Sequence, residues 1–259
     1  MPLDVIASGA VGSGVTDTGE VGRPRGWLSR LVLHEDLNFL LTNRIPRRWA
    51  TLVMGRISRV RSRALTRVSL WVWRKFSPDL DLSEAESHDY RSLHDVFVRR
   101  LRAGARPVNR DPRVAVSPCD AVVGALGPIE KGTVYQAKGF PYSMRDLLQR
   151  DDLVDRYRGG SFVTLRLRSS FYHRFHAPCA GSMHRIIYVS GDTWNVNPIA
   201  LNRVERLFCK NERAVLEIDT GRPETSITLV PVAAILVASI RLHCLPHPLD
   251  LRYRGPNEI

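Results

Sequence analysis

Ser161-Phe162-Val163-Thr164-Leu165-Arg166-Leu167-Arg168 alternates with a period of two, Phe162, Thr164 and Arg166 against Val163, Leu165 and Leu167. A strand sends successive side chains to opposite faces, so this stretch sorts itself into two surfaces only when extended. Working outward, runs of the same kind recur: VAVSP from Val114, AVVGALGPI from Ala121, GTVYQAKG from Gly132, HRIIYVSG from His184, RAVLEIDT from Arg213 and TSITLVPVAAILVASIRLH from Thr225. Glycine and proline separate them, the punctuation expected of an antiparallel sandwich or barrel-like domain. A short helix over Ser143–Leu148 interrupts the series.

Upstream, the pattern changes. From Trp49 to Trp71 the apolar residues Trp49, Val53, Ile57, Val60, Ala64, Val68 and Trp71 fall at steps of three and four, one stripe of a helix. Arg56, Arg63 and Arg67 border that stripe on one side and Arg61 on the other. Ten basic residues lie between Arg44 and Lys75 with no acid among them, which accounts for ten of the net charge of +12 over 259 residues. Basic side chains beside bulky apolar ones suit an interfacial helix on anionic lipid, with Trp71 and Trp73 at the headgroup boundary. No uncharged apolar run approaches the roughly 20 residues needed to span a bilayer. A further short helix is predicted over Tyr90–Leu101, with Leu93, Val96 and Phe97 inward.

These patterns imply the α+β class: amphipathic helices, then an antiparallel β-rich domain. Residues 1–27, rich in Gly, Val, Ser and Thr, read as a disordered leader, 28–105 as a basic helical membrane-associating region, and 106–259 as a catalytic-type β domain. Four cysteines, at 119, 179, 209 and 244, are too few for a disulfide scaffold and form no CxxC pair, so neither a knotted secreted fold nor a zinc ribbon is indicated. The absence of GxxxxGK[ST] and GxGxxG removes support for nucleotide binding. No base-reading motif accompanies the positive charge, so nucleic acid is not an expected partner.

The densest chemical block is Phe171-Tyr172-His173-Arg174-Phe175-His176-Ala177-Pro178-Cys179. In an extended segment His173 and His176 point to opposite faces, which disfavours a shared metal; no metal site is expected. Asp120, just after Ser117-Pro118-Cys119, is either a turn aspartate or a carboxylate that orients an imidazole. Cys119 and Cys179 allow a Cys/His hydrolase to be imagined, but nothing in the sequence activates either thiol.

These blocks resemble phosphatidylserine decarboxylase: Ser117-Pro118-Cys119-Asp120, Gln136-Ala137-Lys138-Gly139-Phe140-Pro141-Tyr142-Ser143 and Tyr172–Cys179, then Tyr188-Val189-Ser190-Gly191-Asp192, Asn211-Glu212-Arg213 and Val237-Ala238-Ser239-Ile240. Phe97-Val98-Arg99-Arg100-Leu101 upstream also matches. The resemblance implies a peripheral enzyme on the cytoplasmic face of the cell membrane that converts phosphatidylserine to phosphatidylethanolamine and CO2. Its cofactor would be a covalent pyruvoyl group made when a proenzyme cleaves itself at a Leu-Gly-Ser-Thr motif, the ketone serving as an electron sink. By motif position the self-cleavage relay would use Asp120 and His176, and His173 would stand at the headgroup or proton-transfer site.

Two departures bear on that expectation. The 259 residues contain no Leu-Gly-Ser-Thr, so no pyruvoyl-forming serine is assigned, and Asp120-Ala121 replaces the usual Asp-Gly. The sequence therefore reads as a large-subunit fragment, inactive by itself, that lacks its pyruvoyl-bearing small subunit; a homodimer also fits the family. A reading from another class is a non-catalytic lipid-binding or regulatory relative with the fold but without the reactive serine.

Overall fold

A computed structural model describes residues 35–136, 140–222 and 224–259. The expected leader, 1–27, lies outside the described residues, as do 28–34 of the basic helical region and 137–139 of the Gln136–Ser143 block. Three helices open the described chain: α1 (Glu35–Asn43), α2 (Arg47–Ile57) and α3 (Arg63–Phe76), then the short α4 (Leu93–Phe97). The β part comprises β1 (Val122–Pro128), β2 (Thr133–Tyr135) and β3 (Pro141–Ser143), α5 (Met144–Leu148), α6 (Asp151–Arg156), β4 (Ser161–Arg166), β5 (Ser182–Val189), α7 (Pro198–Leu201), α8 (Leu207–Lys210), β6 (Arg213–Asp219) and β7 (Ser226–Leu229). The chain is α+β, as its patterning implies, and every ladder between these strands is antiparallel.

The sheets are small: β1 with β4, β2 with β3, and β5-β6-β7. In the last, Ile187 and Val215 face one cluster with Ile129, Tyr142 and Leu153, while Ile186, Tyr188, Ala214 and Leu216 face another with Ile240 and Leu249. Burial on both faces explains why β6, between Arg213 and Asp219, is apolar at every position but Glu217. Glu217 is held by Arg156 and Arg185. Residues 257–259 extend this sheet beside β5, with Ile186 N–H donating to Ile259 O at 3.1 Å and Tyr188 N–H to Asn257 O at 2.7 Å.

Four sequence expectations change in detail. The single helical stripe from Trp49 to Trp71 is two helices, broken at 58–62, where extended Ser62 (φ −144°, ψ 114°) caps α3 by accepting from Leu65 N–H. The helix over Tyr90–Leu101 shortens to Leu93–Phe97, because a capping box between Ser92 and Asp95 starts it late. VAVSP is no strand of its own, though it hydrogen-bonds to the histidine block. The long run from Thr225 is a strand only to Leu229; Pro231 and the positive φ of Leu236 and Ser239 keep the remainder from continuing as one strand.

The apolar stripe of α2 and α3 faces solvent: Trp49 is 70% exposed, Val68 60% and Trp71 63%. The buried positions of these helices are Thr51 and Thr66. Thr51 is buried because it docks α2 on the β domain, its hydroxyl accepting from Leu236 N–H at 3.0 Å and lying 3.3 Å from that of Thr193. Beside it Arg47 pairs with Asp192 and lies over Trp194, 3.7 Å from the ring centroid. Among the described residues no helix is long and apolar enough to cross a membrane.

Candidate active site

Two backbone hydrogen bonds assemble the site. Val116 N–H donates to Pro178 O and His176 N–H to Pro118 O, each at 2.8 Å. That antiparallel pairing lays the Ser117–Asp120 block alongside the histidine block, two segments that are distant in the chain. Pro118 and Pro178 have no N–H to give, so each contributes only the carbonyl that this register uses. Gly181 closes the turn into β5; a Cβ there would lie 2.5 Å from Asp219 O, so no larger residue fits without moving the strand.

The structure brings the segments of Asp120 and His176 together but gives their side chains different partners. Asp120 is held by Arg106, with Nη2 2.6 Å from Oδ2 and Nε 2.9 Å from Oδ1. The His176 Nε2 lies 3.1 Å from the Tyr172 hydroxyl, and the two rings stack with centroids 5.7 Å apart. Among the described residues no hydrogen bond joins Asp120 to His176. Burial raises the pKa of the Tyr172 phenol, and after burial the Arg174 charge lowers it and the Asp120 charge raises it. His176 is exposed, so its ring is open to a ligand.

His173 sits differently, on the other side of the extended segment as the odd spacing requires. Its Nδ1 is 2.9 Å from Phe171 O, and since a carbonyl only accepts, Nδ1 carries the proton and Nε2 presents a bare lone pair. Burial lowers its pKa to about 4; the Phe171 bond opposes this and the Arg99 charge adds to it. His173 is therefore neutral at pH 7, a proton acceptor at Nε2.

The thiols are poor nucleophiles. Burial pushes Cys119 up to about 11, with the Asp120 charge adding to it, and raises Cys179 as well. Both stay protonated near neutrality, which removes the basis for Cys/His hydrolysis. Among the described residues no group of three His, Cys, Asp or Glu side chains gathers to hold a metal.

A pyruvoyl group would need a proton acceptor beside its electrophilic carbon, and the uncharged His173 with a bare Nε2 fits that part. The serines flanking these blocks are hydrogen-bonded within the chain: Ser117 donates to Cys119 O, Ser169 lies 3.2 Å from Ser77, and Ser170 donates to Asp79. Arg106 carries no signal in the sequence, being one of six arginines between residues 99 and 113 and outside any block. Tyr172 stands in plain view within the histidine block, but its role as partner of His176 depends on ring stacking that spacing does not express.

The α+β chain carries two unlike imidazoles on one extended segment, one neutral and half-buried, one exposed and tyrosine-bound. Residues 93–254 match the phosphatidylserine decarboxylase family. The chain is 37% identical over 201 residues to the phosphatidylserine decarboxylase proenzyme of Vibrio parahaemolyticus, covering 76% of this chain and 69% of that one. It is 40% identical over 199 residues to the proenzyme of Citrobacter koseri, covering 75% and 59%, and 38% identical over 210 residues to that of Sodalis glossinidius, covering 78% and 68%. The chain belongs to the phosphatidylserine decarboxylase family. It spans about three fifths to two thirds of the length of these curated relatives.

Proposed function

We propose that this chain serves the decarboxylation of phosphatidylserine to phosphatidylethanolamine and CO2 at the cytoplasmic face of a membrane, in concert with a polypeptide that supplies a pyruvoyl end. When bound, the pyruvoyl group would provide the electron sink for loss of the carboxylate. His173 Nε2, unprotonated at the start, takes up a proton given up by the substrate ammonium and delivers it to the carbon that CO2 has left. His176, oriented by Tyr172, serves proenzyme processing, and Asp120 supports it once Arg106 yields the carboxylate. Helices α2 and α3 rest on anionic lipid through Trp49, Val53, Val68 and Trp71, with the flanking arginines at phosphate level, so the headgroup is delivered to the histidine block. A homodimer is compatible with this arrangement.

The single observation that carries this reading is the pairing of 116–118 with 176–178, which sets the aspartate and histidine blocks side by side. The test measures CO2 release from phosphatidylserine in anionic vesicles by the chain together with a pyruvoyl-bearing partner polypeptide. Replacing His173 by Asn is expected to cost at least about 10²-fold in rate, the usual worth of a positioned acid–base group. A rate indifferent to His173→Asn would overturn the assignment.

A further inference from the structure

Three aromatic rings from three separate parts of the chain lie in series. Trp73, on the basic helix α3, stacks on Phe97 at the end of α4, with centroids 6.4 Å apart and planes inclined by 25°. Phe97 in turn covers His173, with centroids 3.9 Å apart and planes inclined by 30°. The two residues after Phe97 grip the same block through other atoms. Val98 O accepts from Arg174 Nε at 3.0 Å, and the buried Arg99 donates from Nη2 to Ser170 O at 3.2 Å. Residues 97, 98 and 99 thus hold residues 173, 174 and 170 with a ring, a carbonyl and a guanidinium.

We propose that Phe97, seated from behind by Trp73, is a positioning residue for the His173 imidazole, covering one face of the ring and fixing the direction in which Nε2 points. The proposal rests on the role given to His173 under the proposed function. The Phe171 carbonyl fixes one edge of the imidazole at Nδ1, and a single hydrogen bond leaves the ring free to tilt about that bond. A flat ring at contact distance removes that tilt, and it keeps water from one face. An aromatic face would by itself favour an imidazolium over it. The depressed basicity of His173 therefore means that desolvation outweighs this attraction, with the Arg99 charge on the same side of the balance.

The test is an NMR titration of the histidine ring protons in the full chain, the His173 signal being assigned by its loss in His173→Asn. The His173 midpoint is expected near 4 in the parent chain. Phe97→Ala should raise it by at least about one pH unit toward the ordinary value near 6.5, Phe97→Tyr should leave it in place, and Trp73→Leu should raise it less than Phe97→Ala. Should Phe97→Ala fail to fold, Phe97→Leu, which keeps apolar volume without a flat face, should move the midpoint in the same direction. A midpoint unmoved in Phe97→Ala or Phe97→Leu, or moved as far by Phe97→Tyr, overturns the proposal. The readout uses no substrate. A midpoint that moves as stated, beside decarboxylation indifferent to His173→Asn, would sink the functional reading and leave the positioning role standing.

Discussion

The Asp120 carboxylate is clasped by Arg106, with Nη2 2.6 Å from Oδ2, while the imidazole expected to share that carboxylate, His176, bonds Tyr172 instead. Arg106 also reaches Glu84 at 2.7 Å, so one guanidinium spans two acids from different loops. Hydrogen bonding to Asp120 is the largest influence raising the basicity of Arg106. Both partners keep access to water, with side chains 42% and 27% exposed, so the Coulomb attraction is screened. Arg106→Gln is expected to lower stability by no more than about 1 kcal/mol in a urea melt. A loss of several kcal/mol would show the pair to be part of the fold rather than a releasable clasp on the carboxylate.

Glu212 is fully buried, and its Oε2 has no hydrogen-bond partner among the described residues. The Tyr188 hydroxyl lies 3.0 Å from its Oε1 and 2.8 Å from Asp250 O. One hydroxyl proton cannot serve two acceptors; a protonated Glu212 resolves this by donating to Tyr188, which then donates to Asp250 O. Burial accordingly pushes its pKa up from 4.5 to about 7. With the folded value above the unfolded one, the native state holds an extra proton between these limits. Stability from this group is full below pH 4.5 and declines as pH rises to 7, by on the order of 3 kcal/mol in all. Glu212→Gln should remove that decline, so the variant gains on the parent chain between about pH 5 and 8 in denaturant melts. Parallel pH profiles for the two would refute the buried neutral acid.

Lipid contact by α2 and α3 makes a separable prediction. Val68 and Trp71 are exposed, so replacing both by Ser should change stability by no more than about 0.5 kcal/mol per site. Co-sedimentation with anionic vesicles should nevertheless fall several-fold, and binding of the parent chain should weaken with added salt as the basic border is screened. Undiminished binding by the double variant would assign the stripe to another partner.

The packing around the site predicts its own sensitivities. Leu216 is fully buried on the central strand β6, and Leu216→Ala should cost about 2–5 kcal/mol. Gly181→Ala forces a Cβ to within 2.5 Å of Asp219 O, so the turn after the histidine block must shift. Thermal melting should fall for both variants. A Gly181→Ala chain that melts with the parent would show that the entry to β5 has room to move.

Much of this protein is legible in one dimension. Alternation over Ser161–Arg166, the basic stripe of α2 and α3 and the spacing of the histidine block depend on local geometry, since the periods of strand and helix are set by neighbouring residues. The opposed faces of His173 and His176 have the same cause. The break at 58–62 is not legible, because apolar positions keep helical spacing across it and only the Ser62 cap shows that the backbone turns. Nor does the sequence reveal that the polar Thr51 and Thr66 are buried and the tryptophans Trp49 and Trp71 exposed. Helical periodicity identifies a stripe but is silent about which side meets the rest of the molecule, a matter of long-range docking at Thr193, Leu236 and Asp192.

The sequence by itself determined which ionisable residues stand in the aspartate and histidine blocks and the elements that carry them. Tertiary structure alone decided their partners: Arg106 for Asp120, Tyr172 for His176, and Phe97 for His173. Each of the three pairings depends on angles and distances of a few ångströms, and the strength of a charged hydrogen bond or the desolvation of a ring varies steeply over that range. Residue order along the chain does not specify such distances until packing has closed the loops between them.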